Sequence, residues 1–255
     1  MGRIITIANQ KGGVGKTTTA VSLAAALAIA ERPTLLVDMD PQASSTKGLG
    51  LKPNPGGEMY GVMAGEVRID QILVPTELEF LTVAPASRDL VGIEVELIGV
   101  RRREFRLKEA IEIVRDRFQY ILVDCPPSLG LLTINALAAS DGILIPVQCE
   151  YLALEGVAQL METLELVRAT LNPRLELLGM LMTMYDPRTR LSTQVVEEVR
   201  RHFPQRTFDT VIPRSVRLSE APSFGKPVLE YEPTSRGAAA YADLAQEIIR
   251  RGLLR

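Results

Sequence analysis

Cysteine is scarce in this 255-residue chain: Cys125 and Cys149 are too few and too far apart for a disulfide framework or a Cys-x-x-Cys metal site. A reducing compartment, the cytoplasm, is therefore expected. No uninterrupted apolar run reaches the roughly 18 residues that a membrane-spanning helix needs. The chain also lacks low-complexity tracts, internal repeats and Gly/Ser linkers, which argues against disorder and against a string of domains. Nor is there a basic excess. Lys and Arg number 29 against 31 Asp and Glu, a formal net charge of -2, so any surface for nucleic acid must be local.

What remains is 46% hydrophobic and 24% charged, enough for one packed domain over residues 1–255. Residues 3–8 are a β-branched run, followed by a glycine-rich turn and an alanine- and leucine-rich helical stretch at 18–30. Residues 1–6 formally match a myristoylation pattern, but they serve better as the first strand. Two further apolar runs, 34–37 and 120–123, end in Asp38 and Asp124. Runs at 142–147, 177–183 and 208–212 alternate with helical patterns at 154–169 and 192–202. Alternation of this kind predicts an α/β, P-loop NTPase-like fold: a mostly parallel twisted sheet with helices on both faces and ligands at the carboxyl ends of the strands. Residues 44–61, which include Pro53-Asn54-Pro55-Gly56-Gly57, read as an irregular excursion.

The turn after the first strand is Lys11-Gly12-Gly13-Val14-Gly15-Lys16-Thr17-Thr18. A standard phosphate loop is Gly, four residues, then Gly-Lys-Ser/Thr; Gly15-Lys16-Thr17 fits its end, but Gln10 stands where the first glycine belongs. Glycines here let backbone N–H groups close on phosphate oxygens, and the following helix N-terminus adds positive potential. Lys16 is placed to neutralise β- and γ-phosphate charge, and Thr17 to offer a hydroxyl to Mg²⁺.

This stretch resembles the signature of the deviant Walker A ATPases, and within them the ParA/Soj partition family. Val37-Asp38-Met39-Asp40-Pro41-Gln42 resembles that family's switch I, and Asp124-Cys125-Pro126-Pro127-Ser128 its Walker B and switch II region. Glu150-Tyr151-Leu152-Ala153-Leu154-Glu155-Gly156 and the segment from Ile212-Pro213-Arg214 to Ala221-Pro222-Ser223 are similar to partition-protein segments, so the resemblance covers nearly the whole chain.

The resemblance implies a slow, partner-stimulated ATPase using ATP and Mg²⁺, with residues 11–18 as the nucleotide cradle. Lys11 reaches across a dimer to the partner's nucleotide; Lys16 and Asp40 are the other catalytic candidates, Asp40 by orienting or polarising the attacking water. Thr17, Asp40 and Asp124 are the metal candidates. Asp38 and Asp40 are not separated by sequence, since Asp before Pro41 is also turn chemistry. The adenine is expected beside Thr183-Met184 and Pro213.

The resemblance also implies an ATP-dependent homodimer on non-specific double-stranded DNA, a ParB/Spo0J-type partner, and nucleoid association when ATP is bound. Residues 186–217 hold Arg188, Arg190, Arg200, Arg201, Arg206, Arg214 and Arg217 against Asp186, Glu197, Glu198 and Asp209, a local basic excess suited to phosphates. Arg188, which matches a DNA-contacting position of the family, stands with Arg190 and Arg217 as the DNA-binding candidates. Arg101-Arg102-Arg103 reads as a solvated face. The loop's nearness to the N-terminus leaves no room for an additional N-terminal DNA-binding domain, which favours the shorter Soj-like type.

Two rivals share the phosphate loop. A MinD-like membrane-cycling ATPase needs a C-terminal amphipathic helix, yet Tyr241, Leu244, Ala245, Ile248 and Ile249 form a stripe needed for packing, so no stable membrane association is expected. An iron–sulfur ATPase of the nitrogenase iron-protein type needs a shared cluster cysteine, and Cys125 beside Asp124 lacks that spacing.

Overall fold

Apolar strands without alternation need cover on both faces. In the computed structural model, which describes residues 1–52, 56–150 and 153–252, they have it. The strands are β1 (Arg3–Ile7), β2 (Thr34–Asp38), β3 (Val74–Pro75), β4 (Leu81–Ala84), β5 (Tyr120–Asp124), β6 (Gly142–Gln148), β7 (Glu176–Tyr185) and β8 (Thr207–Pro213). Among the described residues they form one sheet in the order β3-β4-β2-β5-β1-β6-β7-β8, parallel except for the β3–β4 pair.

Successive side chains point to opposite faces. Ile4, Leu35, Val37, Ile121, Val123, Ile143 and Ile145 enter one core; Ile5, Ile7, Leu36, Leu122 and Leu144 enter the other. The second core is roofed by the helix Lys16–Ile29 and the C-terminal helix Arg236–Arg250. Alanines at positions 20, 24, 25, 26 and 28 keep the first of these thin enough to be buried on almost every side. The stripe Tyr241, Leu244, Ala245 and Ile248 is fully used in this core, with Ile249 packed at its margin. Tyr241 Oη and Thr19 Oγ1 close the helix pair at 3.1 Å.

The strands and long helices read from sequence are present with ends shifted by a few residues, as fraying ends usually are. The excursion at 44–61 is more ordered than expected: the helix Ser44–Gly48 occupies its start and the helix Met59–Ala64 its end, while Pro53-Asn54-Pro55 lies outside the described residues. Tyr151 and Leu152 of the Glu150–Gly156 motif, the side chains of residues 153–156, and residues 253–255 also lie outside them. Strands β3 and β4 and the short helices between residues 59 and 117 carried no readable period; β3 is two residues long and contains Pro75.

Glu247 is 3% exposed and ties the C-terminal helix to β8, accepting the amides of Asp209 at 2.8 Å and Thr210 at 2.9 Å, and the Thr210 hydroxyl at 2.6 Å. Arg251 pairs with it one turn later. Glu247→Ala strands these donors, and urea denaturation is expected to show a loss of about 3 kcal/mol.

Candidate functional site

Strand β5 lies between β1 and β2, and the register sets Asp124 beside both Ile7 and Asp38. Three strand ends therefore meet: the one that opens into the glycine turn and two that end in carboxylates. The strand order also reverses about β1, the point where a doubly wound sheet leaves a crevice at its carboxyl edge.

The turn is braced by its own polar groups. Asn9 Nδ2 donates to the Pro146 carbonyl at 2.7 Å, Asn9 Oδ1 accepts the Lys11 amide at 3.0 Å, and Thr183 Oγ1 donates to the Val14 carbonyl at 2.9 Å. Gly13 at φ 74 and Gly15 at φ 89 sit in the left-handed region that favours glycine. A Cβ at Gly12 or Gly13 would meet no other atom within 4 Å, so the rim of the cradle is open.

Lys16 is 7% exposed, and its Nζ donates to the Lys11 carbonyl at 3.0 Å. Burial lowers its pKa, opposed by Asp124 and Asp40. Among the described residues the Lys11 side chain makes no ion pair and no hydrogen bond.

The structure separates the two aspartates that sequence could not. Asp38 is fully buried; Oδ1 accepts the Asp40 amide at 3.1 Å, and Oδ2 accepts the Thr46 amide at 2.9 Å and hydroxyl at 2.7 Å. It is a strut. Asp40, at 7% exposure, spends Oδ1 on the Gln42 amide at 2.9 Å. Asp124 is fully buried, with Oδ2 accepting Ser45 Oγ at 2.7 Å and Oδ1 left without a partner.

A buried carboxylate oxygen without a donor is costly. It is the fit expected for a cation or its bound water, with Thr17 at the start of the helix as a neighbouring oxygen donor. Among the described residues no three His, Cys, Asp or Glu side chains are arranged to hold a metal by themselves. A Mg²⁺ ion here would complete its shell with phosphate oxygens and water.

Next to Gly15 and Thr18 is a cavity of about 360 Å³ lined by Met184, Pro213, Leu218 and Tyr241, so the two expected base contacts face the same space as the cradle. Met184 itself is held at φ 53, a strained conformation for a residue with a side chain. Leu218 and Tyr241 were not among the sequence candidates. Ser45 and Thr46 were missed as well, because Ser-Ser-Thr after Asp-Pro reads as ordinary turn chemistry.

Two of the three arginine candidates are paired with neighbouring carboxylates. Arg188 forks onto Asp186 with contacts of 2.9 and 2.7 Å, which holds that carboxyl down to about 2, and Arg217 pairs with Glu220 at 2.8 Å. Arg190 is exposed at the start of the helix Arg190–His202. Arg188 and Arg217 follow the adjacent strands β7 and β8 and lie at the same end of the sheet. Arg102 and Arg103 pair with Glu109 at 3.0 Å and Glu104 at 3.2 Å, in keeping with a solvated face. Burial raises the thiol pKa of Cys125 well above its usual value and that of Cys149 to about 12, so neither is poised as a thiolate ligand.

A doubly wound sheet whose central strand opens onto such a turn and lysine, flanked by two strand-terminal carboxylates, defines a P-loop NTPase-type protein. A family model described as an AAA domain matches residues 2–177. The chain is 54% identical over 252 residues to the chromosome partitioning protein ParA of Myxococcus xanthus, covering 98% of this chain and 89% of that protein. It is 53% identical over 253 residues to the sporulation initiation inhibitor protein Soj of Bacillus subtilis, covering 99% and 100%. Among solved structures, cobyrinic acid a,c-diamide synthase from Mycobacterium smegmatis with bound ADP and magnesium superposes with a TM-score of 0.87 at 39% identity, covering 99% of this chain and 96% of that one. The chain belongs to the ParA/Soj family of chromosome-partitioning ATPases.

Burial raises Asp38 to about 6, with a smaller push from the Asp40 charge, and raises Asp124 to about 7, reinforced by repulsion from Asp38 and Asp40, from the ordinary 3.8. Both groups hold protons more tightly when folded, so across this window the folded state binds more protons than the unfolded chain. Stability of the nucleotide-free protein therefore falls as pH rises from about 4 to about 7. Urea denaturation along a pH series is expected to show that slope, and Asp124→Asn to flatten it.

Proposed function

We propose that this chain is an ATP-dependent DNA-segregation ATPase. It binds ATP with Mg²⁺ at the carboxyl edge of β1, β2 and β5, dimerises on ATP, binds double-stranded DNA without sequence preference, and is reset by slow hydrolysis stimulated by a ParB/Spo0J-type protein. The observation that carries the reading is the arrangement around Lys16. A buried ammonium, an open glycine rim and the partnerless Asp124 Oδ1 converge at one strand end, beside a cavity large enough to take a base.

Each residue has a distinct task. Residues 12–18 turn backbone amides and Lys16 onto the phosphates; Lys16 exchanges the Lys11 carbonyl for a phosphate oxygen to do so. Thr17 and Asp124 would hold a Mg²⁺ ion, which would supply neutralisation of phosphate charge. Asp40, the less saturated of the switch aspartates and a further candidate at the metal, orients the attacking water. Met184 and Pro213 flank the base. Lys11, without an ion pair among the described residues, is available to a second subunit's γ-phosphate, which makes dimerisation depend on the nucleotide.

DNA binding rests on Arg188, Arg190 and Arg217, two of which must exchange a carboxylate partner for a phosphate. Support for a cytoplasmic, nucleoid-bound protein over a membrane-cycling one comes from the C-terminal helix, whose apolar stripe is consumed by the core. No helix of the described residues is long and apolar enough to cross a membrane.

Lys11→Ala is expected to keep measurable ATP binding while losing ATP-dependent dimers in sedimentation and most of the hydrolysis; unchanged turnover rejects the cross-subunit role. DNA binding measured with ATP, ADP and no nucleotide across a salt series should require ATP and weaken steeply with salt. It should persist in Asp40→Ala, which is expected to hold ATP without hydrolysing it. Arg188→Ala should reduce the salt slope by about one unit. Binding indifferent to nucleotide refutes the switch.

A further inference from the structure

Two neighbouring side chains of one short helix hold the two fully buried carboxylates, Asp38 and Asp124. In the helix Ser44–Gly48, Thr46 Oγ1 donates to Asp38 Oδ2 at 2.7 Å and accepts the Ala86 amide at 3.0 Å. Both bonding roles of that hydroxyl are thus spent on the frame formed by β2 and the chain beyond β4.

Ser45 is different. It is fully buried, and its hydroxyl donates at 2.7 Å to Asp124 Oδ2, on the carboxylate whose other oxygen is buried without a partner. The chain that leads into this helix is tightly constrained. Ala43 sits at φ 51, in the left-handed region unusual for alanine, and its amide donates to the Asp40 carbonyl at 2.8 Å. Asp40 and Ser45 therefore lie at the two ends of one strained turn, and the far end is anchored on Asp124.

We infer that Ser45 is a positioning residue through which Mg²⁺ at Asp124 is sensed by the turn that carries Asp40. The inference rests on the proposed Mg²⁺–nucleotide site. Ser45 occupies Oδ2 and fixes the carboxylate plane, which leaves Oδ1 as the oxygen free for a metal-bound water. A metal that holds Asp124 from the other side then also holds Ser45, and with it the turn from Asp40 to Ser45. Without the hydroxyl, Asp124 is free to rotate and the turn loses its anchor at the metal.

The test uses the whole protein and a fluorescent ADP analogue. Mg²⁺ is titrated into nucleotide-bound wild type, Ser45→Ala and Ser45→Thr, and amide hydrogen exchange of residues 38–48 is followed with Mg²⁺ or with EDTA. In Ser45→Ala the analogue should bind within about twofold of wild type in EDTA, while the Mg²⁺ concentration at half-effect rises about tenfold, the factor associated with one lost charge-assisted hydrogen bond. Mg²⁺ should slow exchange at 38–48 in wild type and Ser45→Thr but not in Ser45→Ala. An unchanged Mg²⁺ requirement, or equal slowing in all three proteins, overturns the inference.

If Ser45→Ala does not fold, Ser45→Cys, which keeps the volume with a much weaker donor, must show the same Mg²⁺ shift, and its failure to do so also overturns the inference. A wild type that binds the analogue with no Mg²⁺ dependence overturns the proposed metal site itself, an outcome distinct from any of these.

Discussion

The insertion of β5 between β1 and β2 is the constraint on which the rest depends. Parallel pairing in register makes Asp124 the neighbour of both Ile7 and Asp38. A glycine turn, a lysine and two carboxylates thereby arrive at one edge from strands far apart in sequence. The apolar residues before them are buried on both faces, so the strands cannot slip without moving a full row of side chains into the wrong core. The precision of the site derives from the packing of the sheet.

That placement has an electrostatic cost which the protein's own groups meet only in part. Lys16 and Asp124 are both desolvated, and each retains an incomplete set of partners: a backbone carbonyl for the ammonium, and the Ser45 hydroxyl with Thr17 alongside for the carboxylate. Desolvation moves their pKa values in opposite directions, toward neutrality for both. A phosphate chain with a divalent cation offers the missing counter-charges together. The same electrostatics explain why Asp38, saturated by Asp40 and Thr46, reads as scaffold while Asp40 retains capacity for chemistry.

The site was unevenly legible. Residues 11–18 could be read because phosphate binding imposes local requirements: glycine where φ is positive, lysine and threonine at the helix start. Asp38 and Asp124 could be placed at strand ends because the apolar runs before them are uninterrupted. Ser45 and Thr46 could not be read, since their role depends on carboxylates on two different strands. The arginine stretch was legible only as a local basic excess; that Arg188 and Arg217 pair with Asp186 and Glu220 depends on local turns that a charge count does not register.

Sequence alone determined the class of sheet, the phosphate turn with its unusual Lys11, and the two strand-terminal carboxylates, because each is a local pattern imposed by backbone geometry or by the periodicity of burial. Tertiary structure alone decided which aspartate has both carboxylate oxygens engaged, Asp38, and which shows one engaged, Asp40. It also decided that Met184, Pro213, Leu218 and Tyr241 share one cavity, and that a five-residue helix holds both carboxylates. Those outcomes depend on the distance between residues remote in sequence and on the solvent each loses, and neither quantity exists until the chain is folded.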